Sequence, residues 1–340
     1  MQRRLHITLF TLLTVLLLVA AFGDLLLGTT RISIDEVWAV LVGESTNANY
    51  IKIVSDLRLP KIIVAILSGV ALSVSGLQMQ TLFRNPLAGP YVLGINSGAS
   101  LGVALFTLAM PMFGVAQGSL LMRLGLTGVA WIGSAAILTL IMALSRKIKN
   151  INVILIIGMM LGSAISAIVG VLQYLGSEES LKAFVVWTMG SLSTVTRGDI
   201  AIFAPAVVLG LVLSVVAIKP LNMLLLGENN ARTIGLNVGR SRLILFLSTT
   251  LLAGSVTAFC GPIGFIGLAM PHLARLTFRT ADHRVLVPAS MLLGALSMVL
   301  CSLVADCVAH SSVVLPVNTI TALLGVPIII FVVVRNRHRQ

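Results

Sequence analysis

Uncharged apolar runs recur along this chain at lengths that match a bilayer, and this restricts the fold more than any other feature. A membrane-crossing helix needs about 20 apolar residues. Ile62–Phe83 supplies such a run without one charged side chain, and Ile151–Leu175 supplies another. Further runs at Leu5–Leu27, Tyr91–Met110, Gly125–Ser145, Ile200–Ile218, Val285–Ala305 and Val317–Val334 give single crossings. Leu243–Ala274 is too long for one helix, and Gly261, Pro262 and Gly264 divide it into a seventh span and a shorter eighth. Pro111 and Gly114–Gly118 mark a break after the third. The expected protein is an all-α, single-domain membrane protein over residues 1–340 with about ten transmembrane helices. Composition agrees: 57% of residues are hydrophobic and 10% charged, against about 25% charged in soluble domains.

The first run follows Arg3 and Arg4, as in a signal peptide, but it exceeds the usual apolar core of about 7–15 residues and reads as a retained span. Ten spans place both termini on one side. That side then holds sixteen of the 23 cations, among them Arg84, Lys147, Lys219, Arg240 and Arg279, with only Glu228 and Asp282 opposing them. Its net charge is +14 and that of the other side −2, which together give the chain's +12. Cations concentrate in cytoplasmic loops, so this side is read as cytoplasmic. The positive charge reports topology and not nucleic-acid binding.

Small residues at four-residue spacing, Gly94–Gly98–Gly102 and Gly158–Gly162–Ser166–Gly170, form stripes that let helix backbones approach closely in lipid. The longest polar interruption on the cation-rich side is KPLNMLLLGENNARTIGLNVGRSR, residues 219–242. Gly227 and Gly235 bracket two helical turns, and glycine ends helices by adopting positive φ. A short helix displayed in water is expected there, facing a partner or simply joining two spans.

Several chemistries find no support. The phosphate-binding GxxxxGK[ST] pattern is absent, so the chain does not hydrolyse ATP through such a loop. No pair of carboxylates lies within the spans, and no Ser–His or HExxH arrangement points to an intramembrane enzyme. Asp24, Asp306, His272 and His310 fall near span ends. Ion-coupled carriers invest in ionisable groups at depth despite their cost, and that investment is not visible here. Cys260, Cys301 and Cys307 lack metal-ligand or disulfide spacing, so no cofactor, metal site or catalytic residue is assigned.

Five blocks carry a resemblance: Leu57–Ser100 (LRLPKIIVAILSGVALSVSGLQMQTLFRNPLAGPYVLGINSGAS), Leu221–Leu236 (LNMLLLGENNARTIGL), Gly264–Arg275 (GFIGLAMPHLAR), Asp282–Ser290 (DHRVLVPAS) and Leu315–Ile330 (LPVNTITALLGVPIII). Together, in this order, they resemble the FecCD-type permeases, membrane subunits of importers for iron–siderophores, haem and cobalamin. The resemblance implies a type II ABC importer permease fold and a homodimer with its pathway along the dimer axis. It also implies a separate cytoplasmic ATPase and an extracytoplasmic substrate-binding protein.

The loop 219–242 matches the family's ATPase-coupling element, with Gly227, Glu228, Ala231, Arg232 and Gly235 as its residues. Ala231 would permit close approach, and Glu228 and Arg232, four apart, would stay solvated or pair across the interface. RNPLAGP, in which Pro86 disfavours helix at Asn85, resembles the inner constriction. Asn85, Pro86 and Leu87 would form it with Asn150, Ile151 and Asn152, unless the motif is only a rigid turn. Arg58, Lys61 and His310 are the docking residues implied for the binding protein. Arg58 and Lys61 lie on the side poor in cations, where snorkelling into headgroups is the other account of them. A metal chelate, an iron–siderophore or haem, is the expected cargo, and cobalamin the alternative.

Overall fold

The computed structural model describes residues 2–28, 30, 32–109, 120–148, 150–308 and 315–337. Its helices are α1 (Gln2–Leu26), α2 (Ile34–Val42), α3 (Ala48–Leu82), α4 (Ile95–Leu108), α5 (Leu120–Lys147), α6 (Ile151–Leu175), α7 (Glu178–Thr188), α8 (Arg197–Val216), α9 (Ile218–Leu224), α10 (Glu228–Thr233), α11 (Val238–Cys260), α12 (Ile266–Phe278), α13 (His283–Val308) and α14 (Val317–Arg337). No strand occurs among the described residues.

Helices α1, α3, α5, α6, α8, α11 and α13 are long and apolar enough to cross a membrane. The helices at the third and eighth expected spans are shorter, and the apolar helix within α14 covers Val317–Ile330. The third begins at Ile95 and not at Tyr91, because Pro90–Leu93 forms a 3-10 turn closed by Gly94 at φ +74°. Before α12 the chain runs without helix from Gly261 to Gly264. Irregular backbone survives at membrane depth only where protein surrounds it and satisfies its polar groups. Here the Tyr91 hydroxyl donates to the Ile263 carbonyl at 3.0 Å, and the Gly264 N–H donates to Asn318 Oδ1 at 2.9 Å. The expected break near Pro111 lies outside the described residues.

Two helices between spans escaped the hydropathy reading, although both carry start signals. Ser33 caps α2 ahead of Asp35 and Glu36, and Ser177 caps α7 ahead of Glu178 and Glu179. A serine cap followed by acids in the first turn favours helix initiation.

Helix α3 is the hub. A Cβ added at Gly69 would lie 2.2 Å from the Gly294 carbonyl oxygen of α13, and one added at Gly294 would lie 2.2 Å from that of Gly69. On the next part of α3, a Cβ at Gly76 would fall 1.7 Å from the Gly267 oxygen of α12. Gly98 of α4 and Gly133 of α5 face one another in the same manner. The small-residue stripes thus act partly as backbone contacts, which replace the hydrophobic drive that lipid does not supply. Gly170, by contrast, has open space where a side chain would be. Polar groups fasten the centre: Gln78 of α3 donates to Ser248 and accepts from Thr249, both at 3.0 Å, and Ser248 donates to the Gly210 carbonyl at 2.8 Å.

Candidate coupling and gating site

The segment expected to couple is a helix of one and a half turns with glycine at both ends. Gly227 sits at φ +95° and Gly235 at φ +94°. At its C-terminus the Leu236 N–H bonds the Ala231 carbonyl at 2.9 Å and the Gly235 N–H bonds the Arg232 carbonyl at 3.0 Å. This pair of bonds is a Schellman closure, which requires the left-handed residue that glycine supplies. The same closure ends α3, where Asn85 bonds Gln80 and Arg84 bonds Thr81. There Arg84 itself takes φ +48°, a conformation that costs a non-glycine residue about 1 kcal/mol.

Glu228 and Arg232 pair with each other within α10 at 3.0 Å, an outcome apart from the two expected, solvation or pairing across an interface. Glu228 also accepts from the buried Arg242 of α11 at 2.6 Å, and Arg242 reaches the Ile148 carbonyl at 3.3 Å. Arg242 therefore ties α10 to the connection between α5 and α6. The sequence reading had placed it in the loop without a role. Ala231 requires a correction: it is 0% exposed, so it meets this chain's own interior and not an outside surface. Asn229, Asn230, Arg232 and Thr233 are the exposed residues of α10, and Ile234 just beyond it is exposed as well.

Residues 84–86, 150–152 and the coupling segment converge on one cavity of about 1270 Å³, lined by Asn85, Pro86, Asn150, Ile151, Asn152 and Glu228, among others. Asn85 and Asn150 shape its walls locally. Asn85 Oδ1 accepts the Leu87 N–H, and Asn150 Oδ1 accepts the Asn152 N–H at the start of α6, each at 2.9 Å. Gly227 and Arg232 also line the cavity, so the motif expected to couple and the motif expected to gate share one space. Leu87 does not share it. Its side chain is 51% exposed and borders a separate cavity of about 300 Å³ with Phe265 and Leu268.

Behind this cleft lies a second bracket that sequence reading missed. Asn222 of α9 donates to Asp282 at 2.6 Å and accepts the His283 N–H at 2.9 Å, while the His283 ring spans from Asn222 to Thr81 of α3. Two quoted sequence blocks, one around Asn222 and one beginning at Asp282, thus meet through side chains.

At the opposite end the expectation for Arg58 and Lys61 is also corrected. Both are 7% exposed, so neither stands on an open docking face or reaches into headgroups. The Arg58 guanidinium donates to the carbonyls of Leu25 and Thr30, which close the end of α1. Lys61 pairs with Asp306 of α13 and lies 3.4 Å from Asp24 of α1, whose other oxygen accepts from Ser302 at 3.2 Å. A buried cation needs such carboxylates, and a one-dimensional reading cannot see residues 37 and 245 positions away. His310 lies outside the described residues.

The hemin transport system permease protein HmuU of Yersinia pestis is 37% identical over 332 residues, with 96% of each chain covered. The vitamin B12 import system permease protein BtuC of Klebsiella pneumoniae is 35% identical over 340 residues, covering 99% of this chain and 96% of its own. A solved inward-facing structure of a putative metal-chelate type ABC transporter superposes with a TM-score of 0.83 at 30% identity, across 96% of this chain and 99% of that one. The FecCD transport family model matches residues 13–335, and the chain belongs to that family: it is a multi-pass membrane permease subunit of an ATP-driven importer, with ATP hydrolysis carried by a separate partner.

Proposed function

We infer that two copies of this chain form the pore of an importer for a metal chelate, with haem first among the ligands to test and cobalamin second. The observation that carries this reading is the single cleft in which α10 meets residues 84–86 and 150–152. Movement imposed on α10 by an ATPase would reach the constriction through Glu228 and Arg242. The ligand class rests on the haem and vitamin B12 relatives and on the metal-chelate transporter structure. The homodimer accounts for α6, which leaves Met159, Met160, Ser163, Ser166 and Gly170 uncovered along one side. A second copy covers this face and the pathway runs along it. The cation-rich end faces the cytoplasm with both termini, and a substrate-binding protein docks at the other end. Arg58 and Lys61 shape that docking surface from beneath, by fixing the ends of α1, α3 and α13.

The test is uptake into proteoliposomes holding the permease with its ATPase, supplied with haem, a ferric siderophore or cobalamin on the binding protein. ATP-dependent accumulation of haem, abolished by an inactive ATPase, is expected. Accumulation driven by an ion gradient without ATP would overturn the importer reading, and ATP-driven uptake of cobalamin alone would reassign the cargo.

A further inference from the structure

His272 is a lone buried histidine on α12, and the coupling path described above makes no use of it. Its Nε2 lies 2.7 Å from the Pro86 carbonyl oxygen. A carbonyl only accepts, so the ring carries its proton on Nε2 and donates. Pro86 belongs to the wall of the cleft, and His272 stands behind that wall.

The anchor on which His272 sits is rigid. Gly76 and Gly267 bring α3 and α12 to backbone contact, so neither helix can shift alone without opening a void. Gln80 of α3 donates to the Leu268 carbonyl at 3.0 Å and accepts from Arg275 of α12 at 2.5 Å. Past the closure of α3 at Arg84 and Asn85, residues 86–88 are held by local turns: Ala88 N–H to the Asn85 carbonyl, and Leu87 N–H to the Asn85 side chain. Such turns fix the shape of the segment but not its position. Beyond its continuity with α3, the segment meets α12 at two places: Gly89 and Pro90 pack on Leu268 and Gly267, and Pro86 is held by His272. Only the second lies at the cleft.

We propose that His272 is a positioning residue of the inner gate, holding the Pro86 carbonyl so that the cleft wall beyond the end of α3 stays registered on α12. The proposal rests on reading residues 84–86 as a gate. Freed of this bond, residues 86–88 are left to the closure of α3 and the Pro90 attachment, and the cleft wall loosens while helix packing stays intact.

The experiment uses the assembled transporter in sealed liposomes without ATP and reads efflux of carboxyfluorescein, with the thermal midpoint recorded for each variant. Two donor-free variants are compared with one that can still donate: His272→Leu, His272→Phe (which keeps a ring if the leucine variant accumulates poorly) and His272→Gln. Asn85→Gly serves as the variant of the gate itself. The donor-free variants are expected to leak roughly two- to tenfold faster, the factor that the loss of one hydrogen bond gives. They should also consume more ATP per ligand imported, and His272→Gln should return both values towards wild type. A leaky Asn85→Gly beside tight, folded donor-free variants would overturn the role of His272 and leave the gate reading standing. Tight behaviour in all of them would remove the gate reading and the proposal together. Equal leak in His272→Gln and His272→Leu at wild-type thermal midpoints would show that ring shape, not donation, is what matters, and would also overturn it.

Discussion

Two charge clusters, one at each end of this molecule, treat charge in opposite ways. At the cation-rich end, Arg232 is exposed and pairs locally with Glu228, while Arg242 is the one buried cation of that end among the described residues. At the far end, Arg58, Lys61 and Asp24 are all buried and link α1, α3 and α13 across long sequence separations. The difference teaches that the side of the membrane on which a charge lies and the depth at which it lies are separate properties. An exposed pair is worth little in energy and is free to exchange partners. A buried one is costly to disrupt because each ion has lost its water. The first arrangement suits a surface that must let go of a moving partner, and the second suits helix ends that must stay together.

Lys61→Met is the strongest way to break this contrast. It removes the ion-pair partner of the wholly buried Asp24, and removal of one partner from a buried pair costs roughly 3–5 kcal/mol. Folded yield and the thermal midpoint in detergent should fall sharply, and adding Asp24→Asn should recover much of the loss. A Lys61→Met protein as stable as wild type, but slow to capture the loaded binding protein, would restore Lys61 as an open docking cation and erase the difference between the ends.

A second comparison sharpens the contrast within the cation-rich end. Ala231 has no exposed surface, and Ile234, three residues on, is 60% exposed. Ala231→Trp forces bulk into this chain's own packing, and overfilling of this kind costs about 1–3 kcal/mol. It should lower the thermal midpoint even with no partner present. Ile234→Arg should change stability by less than about 0.5 kcal/mol, as exposed substitutions do, while weakening association with the ATPase. The reverse pattern would mean that α10 turns its other face outward.

What could be read from the sequence followed the physics of each signal. Span number and the glycine-ended coupling helix were legible because hydropathy and positive-φ demand act locally. The cleft was half legible: RNPLAGP and the Asn150–Asn152 turn announce themselves, but only the fold brings them against Glu228. The burial of Arg58, Lys61 and Ala231 was not legible. Their partners lie on helices distant in sequence, and a side-of-membrane count assigns charge to a face without asking what covers it. His272 was visible as a histidine beside a proline, yet its acceptor is a backbone carbonyl 186 positions away, which no residue pattern encodes.

The smallest expected effect belongs to Asp282, which lies on the cation-rich end but makes several bonds like those of the buried end. The backbone N–H of Arg284, then the Asn222 amide, hold its carboxyl below the usual carboxylate range, with the Arg284 and His283 charges adding to this. A carboxylate with a depressed folded pKa contributes stability above its unfolded value, near about 3.9, and that contribution is lost as pH falls through the folded value. Asp282→Asn keeps an oxygen able to accept from Arg284 and loses only the charge. The site is open to solvent, so the penalty at pH 7 should be a slight fall in thermal midpoint. The gap between wild type and variant should stay constant from pH 7 to pH 5 and close below about pH 4, as Asp282 becomes neutral in both states. A gap that persists unchanged in acid would show that the shape of the Asn222–Asp282–His283 bracket matters and its charge does not. That result would move this corner of the cation-rich end into the class of the buried cluster, where removing a side chain does more harm than removing its charge.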